Sequence, residues 1–217
     1  MTSVYPVMLI IEGRRCVVVG GGTVAERKVE ALLDARGDVV VVSPEATEGL
    51  AKLAEQGAIE WREREAEEAD VLEGFVAIIA TDDHETNARL AAVAEAAGKL
   101  VNAVDQPPDC NFYVPASVQR GPVTLAISTG GSSPALAKRI RKQIQAQFGP
   151  EYGALAELMG RLRPVASELI GTQGKRAKAW ERILESPVLD LLRQGKADVA
   201  EALAREVFEA AGEDGVG

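Results

Sequence analysis

Gly20, Gly22 and Ala25, in the stretch GGGTVA at residues 20–25, have the G-x-G-x-x-A spacing of a turn that cradles a pyrophosphate. Each small residue serves a different purpose, for Gly20 permits the tight turn, Gly22 lets the backbone come up to the phosphates, and Ala25 allows the following helix to pack closely on the preceding strand. The amides of Thr23 and Val24 open that helix and add donors and partial positive charge. A bound dinucleotide is therefore expected. A second strand should deliver an acidic residue to the ribose about 20 residues later, but VVVVSPE ends in Ser43, with Glu45 beyond Pro44. Ser43 is expected to hydrogen-bond the ribose. No Arg stands beside it to welcome a 2′-phosphate, so NAD is preferred over NADP.

Two polar clusters follow later strand candidates, ATDDHETN at residues 80–87 and NAVDQPPDCNF at 102–112. Ligands of open α/β sheets lie at the carboxyl ends of strands, which places both clusters where chemistry is expected. Thr81, Asp82 and Asp83 are candidates to border the nicotinamide, with helix capping by Asp82 or Asp83 as the alternative. His84 reads as a loop residue. Asp105 precedes the stiff pair Pro107 and Pro108, and it is either a proton acceptor or a solvated loop carboxylate.

The elements that must hold these residues can be read from periodicity. Short β-branched runs at 16–19, 39–42, 75–80 and 100–104, and a weaker one at 59–61, predict strands. Helical patterns at 24–33, 48–56 and 85–97 separate several of them. Strands alternating with helices predict an α/β fold, a Rossmann-type doubly wound parallel sheet over residues 1–112. GPVTLAIST predicts one more strand and SSPALAKRIRKQIQAQF a helix started by Ser and Pro, which together make a small α+β unit at 113–149. Residues 150–217 predict a helical domain of three segments, at 152–170, 175–192 and 196–211, the first interrupted by Pro164. GEDGVG, residues 212–217, is expected to be a frayed tail.

A hydrophobic content of 47% beside 26% charged residues is that of an ordinary globular chain, and aromatic residues at 4% leave the core to Val, Leu, Ile and Ala. A net charge of −9 argues against nucleic acid or an anionic membrane as the main partner. No run reaches the roughly 20 apolar residues of a membrane span, and MTSVYPVMLIIEGRR lacks the basic start and cleavage site of a secretory signal, so a cytoplasmic location is expected. The 2 cysteines, Cys16 and Cys110, stand outside any spaced metal or redox motif and are expected to be unpaired thiols. With the single histidine His84, no metal site built from protein ligands is expected.

Four linked stretches, YPVMLIIEGRRCVVVGGGTVAERKVEALL, IIATDDHETN, VNAVDQPPDCNFYVPA and LAISTGGSSPALAKRIR, give the chain a further identity. In this order they resemble the precorrin-2 dehydrogenase family, the dehydrogenase and ferrochelatase portion of siroheme synthase, over essentially the whole length. The resemblance implies NAD as cofactor, oxidation of precorrin-2 to sirohydrochlorin, a homodimer joined through the middle region, and an essential aspartate matching Asp105. In some members the same site also takes ferrous iron as a substrate and inserts it to give siroheme. Where members often read ISSGG, this chain reads ISTGG, with Thr129 keeping the hydroxyl and adding a stiff methyl. The methyltransferase domain fused to some members is absent from the chain, which ends at Gly217, so methylation is expected to fall to another protein.

The substrate so implied carries many carboxylates, and AKRIRKQ offers a basic face. Lys138, Arg141 and Lys142 are related by three- and four-residue spacings, flanked by Arg139, while Leu136, Ile140 and Ile144 take another face. The turn of Thr129, Gly130, Gly131 and Ser132 adds backbone donors at the helix start. A merely solvated helix face is the alternative. Two other functions stay open on the residues alone: an NAD-binding redox sensor without enzymatic activity, and a dehydrogenase of another substrate. The sensor accounts for the first hundred residues but leaves VDQPPDCNFYVPA and STGGSSP without a purpose.

Overall fold

Three runs of mostly β-branched residues, buried on both sides, make the centre of the sheet. In the computed structural model, which describes residues 4–213, β1 (Arg15–Val19) lies between β2 (Asp38–Val42) and β4 (Val76–Ile79), with β3 (Glu60–Arg62) and β5 (Leu100–Ala103) at the edges. All pairings are parallel and the order is β3-β2-β1-β4-β5. Side chains alternate between the two faces. Cys16, Val18, Val39, Val41 and Ile78 pack under α1 (Thr23–Asp34) and α2 (Glu48–Glu55), whose Ala25, Val29, Leu32 and Leu50 close that core. Val17, Val19, Val40, Val42 and Ile79 pack under α3 (Glu68–Glu73) and α4 (His84–Ala96) through Val71, Leu90, Ala91 and Ala94. Each fully buried valine of this kind contributes on the order of 1.5–3 kcal/mol. Burial also pushes the Cys16 thiol up to about 11.

The chain winds outward from β1 to β3 and then crosses back to β4 and β5, so the order reverses between β1 and β4. Helices on both faces and this reversal are what the strand and helix alternation predicts. Helix α3 was not foreseen. Its six residues are held by Asp70, whose carboxylate accepts from the Glu67 amide at 2.8 Å and is clamped by Arg62 and Arg64 at 2.9 and 2.6 Å.

Of the described residues, 5–114 form one compact unit and 115–213, with Val4, fall in a second. The second starts with an antiparallel hairpin, β6 (Ala116–Arg120) and β7 (Val123–Ile127). Only the second of these strands was foreseen, because Ala, Ser, Gln and Arg in the first carry little β signal. Then come α5 (Pro134–Gln147), α6 (Pro150–Leu169), α7 (Gln173–Glu185), α8 (Val188–Arg193) and α9 (Ala197–Glu213). The hairpin is fastened within this unit by Arg120, whose guanidinium donates to the carbonyls of Phe148 and Gln145 at 3.0 and 3.3 Å. Leu158, Leu162, Ile183, Val188 and Phe208 make the helical core, with the Trp180 ring edge-on to Phe208 at 4.7 Å.

Three expectations for this region are corrected. Pro164 does not interrupt its helix: α6 runs through it. The interior proline costs about 3 kcal/mol, and the fully buried Leu158, Leu162 and Ala166 on either side of it offset that by packing. Residues 175–192 are two helices rather than one, because Ser186 and Pro187 break them. The Ser186 hydroxyl donates to the Ile183 carbonyl at 2.7 Å and accepts from the Val188 amide at 3.3 Å, a local turn that competes with the helix. Finally, helix continues through Gly212 to Glu213 where a tail was expected, and residues 214–217 lie outside the described residues.

Candidate active site at the strand ends

The carboxyl end of β1 turns into α1 through three glycines with three different environments. Gly20 has a φ of +112°, and a Cβ there would lie 2.5 Å from the Ala80 carbonyl oxygen at the end of β4. Gly21 has even less room: its Cβ would fall 1.9 Å from the Glu45 carbonyl oxygen and 2.5 Å from Ser43 Oγ. Gly22 faces open space, with nothing within 4 Å of where a side chain would begin. The strand side therefore demands small residues at 20 and 21, while the free approach lies at 22. Ala25 is fully buried against the sheet.

Helix α1 begins with no side chain bonded to its first amides, whereas Thr47 caps α2 and Asp83 caps α4. The Gly22 carbonyl accepts from the Glu26 amide at 3.0 Å, which starts the helical ladder and leaves the amides of Thr23 and Val24 pointing out of the helix start. Orphan donors beside an open glycine at a strand-order reversal fit a pyrophosphate. The residues present thus suit a dinucleotide.

Ser43 lies at the end of β2 but faces inward. It is buried, and its hydroxyl donates to the Glu45 carbonyl at 2.7 Å, shaping the turn on which Gly21 rests. The proton expected to reach a ribose is committed there. Next to this strand end, the Ser43 amide donates to the Arg62 carbonyl at 3.2 Å, but the Arg62 guanidinium is engaged with Glu60, Asp70 and Glu73, and that of Arg64 with Asp70.

The β4 end is a rigid knot. Thr81 Oγ1 donates to Asn87 Oδ1 at 2.6 Å, Asn87 Nδ2 donates to the Thr81 carbonyl at 2.9 Å, and the Asp83 amide donates to Thr81 Oγ1 at 3.2 Å. Asp83 is the capping residue, accepting from the amides of Glu85 and Thr86 and from the Thr86 hydroxyl at 2.6 Å. These bonds, the Thr86 hydroxyl first, hold its carboxyl below the ordinary value. Asp82 is exposed beside it and takes no part in the cap. His84, read from sequence as a loop residue, is the first residue of α4, because the Asp83 cap draws the helix start forward to it.

Asp105, past the end of β5, is exposed and adopts a φ of +59° in a turn closed by the Gln106 amide on the Ala103 carbonyl at 3.3 Å. Sequence reading missed what surrounds it. The Cys110 thiol reaches back to the carbonyls of Ala103 and Gln106 at 3.1 and 3.3 Å. Asn111 accepts from the Val101 amide at 2.8 Å and donates to the Lys99 carbonyl at 2.8 Å, lacing the returning loop onto β5. Lys28 on α1 was also missed. Burial pushes its ammonium below the ordinary value and Arg27 adds to that, while Asp105 and Cys110 oppose it, so a partly buried cation and the exposed carboxylate share one field. Its position three residues after Ala25 and four before Leu32, beside the buried stripe, was the available signal.

Gly20, Gly22, Thr23, Val24, Ala25, Ser43, Thr81, Asp82 and Asp105 thus gather at the carboxyl end of one sheet. Thr129, Gly130, Gly131, Ser132, Lys138, Arg141 and Lys142 belong to the other unit. There the Ser133 hydroxyl caps α5, and Thr129 Oγ1 pairs with the backbone of Ser133 at 3.1 and 3.2 Å. Gly130 and Gly131 adopt φ of +60° and +82°. A shallow groove is lined by Lys138, Arg139 and Lys142 with Ala135, Gln143 and Ala146, and Arg141 lies outside that lining. At 100° per residue, 139 and 141 stand equally far from 138 and 142 on opposite sides of the helix, and the groove opens on the side of 139. Among the described residues no three His, Cys, Asp or Glu side chains are grouped to hold a metal ion. No described helix is long and apolar enough to cross a membrane.

Comparison with known proteins finds matches along the chain. Residues 7–116 match the family described as “Putative NAD(P)-binding”, residues 120–147 that described as “Sirohaem biosynthesis protein central”, and residues 151–208 the “Sirohaem synthase dimerisation region”. Siroheme synthase of Thioalkalivibrio sulfidiphilus is 41% identical over 98% of this chain and 42% of its own length. Siroheme synthase of Methylococcus capsulatus is 41% identical over 95% of this chain and 44% of its own length. The chain therefore spans a little under half of these curated relatives. Among solved structures, SirC, precorrin-2 dehydrogenase, superposes with a TM-score of 0.74 at 26% identity, covering 94% of this chain and 100% of that one.

Proposed function

Because the chain belongs to the siroheme-biosynthesis family that joins an NAD(P)-binding domain to the sirohaem central and dimerisation regions, we propose that it oxidises precorrin-2 to sirohydrochlorin with NAD. One observation carries the reading. An open helix start under Gly22 and an exposed carboxylate at Asp105 lie at the carboxyl end of a sheet whose chain superposes on a precorrin-2 dehydrogenase over that protein's full length.

The reaction removes a hydride and a proton from the reduced macrocycle. NAD, when bound, supplies the hydride acceptor. The amides of Thr23 and Val24 hold the pyrophosphate, and Gly22 leaves room for it. Ala25 seats the helix, and Ser43 shapes the turn beside the ribose. Thr81 and Asp82, at the β4 end, border the nicotinamide. The engagement of Arg62 and Arg64 with carboxylates supports NAD over NADP, since neither guanidinium is left to take a 2′-phosphate. Asp105 accepts the proton, and its exposure lets it reach a substrate atom.

Substrate carboxylates are drawn to the groove of Lys138, Arg139 and Lys142, with Arg141 adding to the field, and to the turn formed by Thr129, Gly130, Gly131 and Ser132. Ferrous iron is a second substrate for the same site. The macrocycle provides the nitrogen ligands, Asp105 takes one pyrrole N–H proton, and the second leaves to water. The working form is a homodimer. Helix α5 has no buried residue, Leu136 on it is 49% exposed, and the extended segment before β1 leaves Tyr5 and Ile10 87% and 79% exposed, apolar surface that a second copy would cover. The cytoplasm suits two free thiols, Cys16 and Cys110. Anaerobic incubation with precorrin-2 and NAD tests the reading: the sirohydrochlorin spectrum and NADH absorbance should rise together, and an unchanged macrocycle would refute it.

A further inference from the structure

The turn that carries Asp105 is held from two sides. Asp105 adopts the left-handed region, which Asp enters more readily than most non-glycine residues, and its surroundings hold it there. On one side is the Cys110 thiol, set against the carbonyls of Ala103 and Gln106 that bracket Asp105. Asn102 Nδ2 in turn donates to Cys110 Sγ at 3.6 Å and to the Phe112 carbonyl at 3.0 Å, which fixes the thiol. On the other side is the Gln106 carboxamide, whose Nε2 donates to Nδ1 of the His84 ring. His84 is itself anchored, as the first residue of a helix whose cap and neighbouring Thr81–Asn87 pair form the knot at the β4 end.

Gln106 Oε1 gives a second, independent observation. It is buried without a hydrogen-bond partner among the described residues. Half a turn of the carboxamide would bring this oxygen to the imidazole, where it would accept from an Nδ1–H, and send the Nε2 donors inward. Either way round, the side chain next to Asp105 is pinned on the His84 ring.

We propose that His84 and Gln106 are positioning residues for Asp105: the Gln106 side chain, seated on the His84 ring, ties the β5 turn to the capped start of α4 and so fixes where the carboxylate is presented. The inference rests on the reading of Asp105 as the proton acceptor. Misplacement of a reacting group by about 1 Å can cost about 10²-fold in rate, so loss of the tie should appear in kcat rather than in cofactor binding.

The test has two readouts. As His84 is the single histidine of the chain, ¹⁵N-histidine labelling reports one ring, and Gln106→Ala should shift its Nδ1 resonance in the apo protein. In anaerobic turnover, His84→Ala and Gln106→Ala should each lower kcat by about 10- to 100-fold, with KM for NAD within about twofold. His84→Gln, which restores a hydrogen-bonding partner for Gln106, should recover to within about threefold of the parent. An unmoved ring resonance in Gln106→Ala would overturn the tie. Parental kcat in both alanine variants of an active enzyme would overturn the positioning role alone, whereas a parent without precorrin-2 turnover would overturn the functional reading beneath it.

Discussion

Gly20 and the carbonyl of Ala80 are in such close approach that a Cβ on Gly20 would lie 2.5 Å from that oxygen. The β1 turn is thus fitted to the end of β4, across the point where strand order reverses. Gly20→Ala should meet both this clash and the +112° φ, and lower unfolding free energy by about 2 kcal/mol or more. Urea denaturation followed by circular dichroism would check it, and parental stability would show that the turn can shift to accommodate a side chain.

Gly22 should behave in the opposite way. Its side-chain direction is open, so Gly22→Asp is expected to fold with parental stability. The added carboxylate would stand among the amides proposed to hold the pyrophosphate, and calorimetric titration should show NAD affinity collapsing. Unchanged affinity would move the phosphates elsewhere.

Asp70 makes stability depend on acidity. Its carboxyl is lowered to about 2, with the Arg64 hydrogen bond the largest cause and the Glu67 amide and Arg62 helping. Between that value and the ordinary one near 3.8, the unfolded chain binds the proton more readily, so stability falls as pH falls through the window. The contribution, about 2 kcal/mol at neutral pH, is complete above the unfolded value and lost towards pH 2. Denaturation of the parent and of Asp70→Asn at pH 6 and pH 3 should show the gap between them narrowing in acid. A constant gap would separate the ion cluster from proton linkage.

Neutralising the α5 groove should affect substrate alone. Replacing Lys138, Arg139 and Lys142 with Gln is expected to raise KM for precorrin-2 about tenfold, through loss of the field that draws carboxylates, while NAD affinity stays at the parental value. Equal KM values in parent and variant would leave the groove a solvated helix face.

Much of this was legible in the sequence because it depends on local pattern. Valine runs marked the strands, and Gly20, Gly22 and Ala25 marked the turn by spacing alone. Gly21 was not distinguished, since its need for a bare backbone comes from Glu45 and Ser43 folding over it. Ser43 was assigned outward on its place at a strand end, while its hydroxyl is turned to its own loop. Pro164 misled because a local rule was outweighed by the burial of Leu158, Leu162 and Ala166. The ties of Cys110 and His84 to the Asp105 turn join residues 4 to 22 positions apart, and no periodicity records them.

Asp105 bears the central claim, and a single measurement addresses it: anaerobic turnover of precorrin-2 with NAD, followed through both chromophores, for the parent and Asp105→Asn side by side. The substitution keeps the shape and tolerates the left-handed turn but cannot take a proton. The parent should form one NADH per sirohydrochlorin, and Asp105→Asn should bind NAD with parental affinity while kcat falls about 10²- to 10⁴-fold. Turnover by Asp105→Asn at the parental rate would contradict the account.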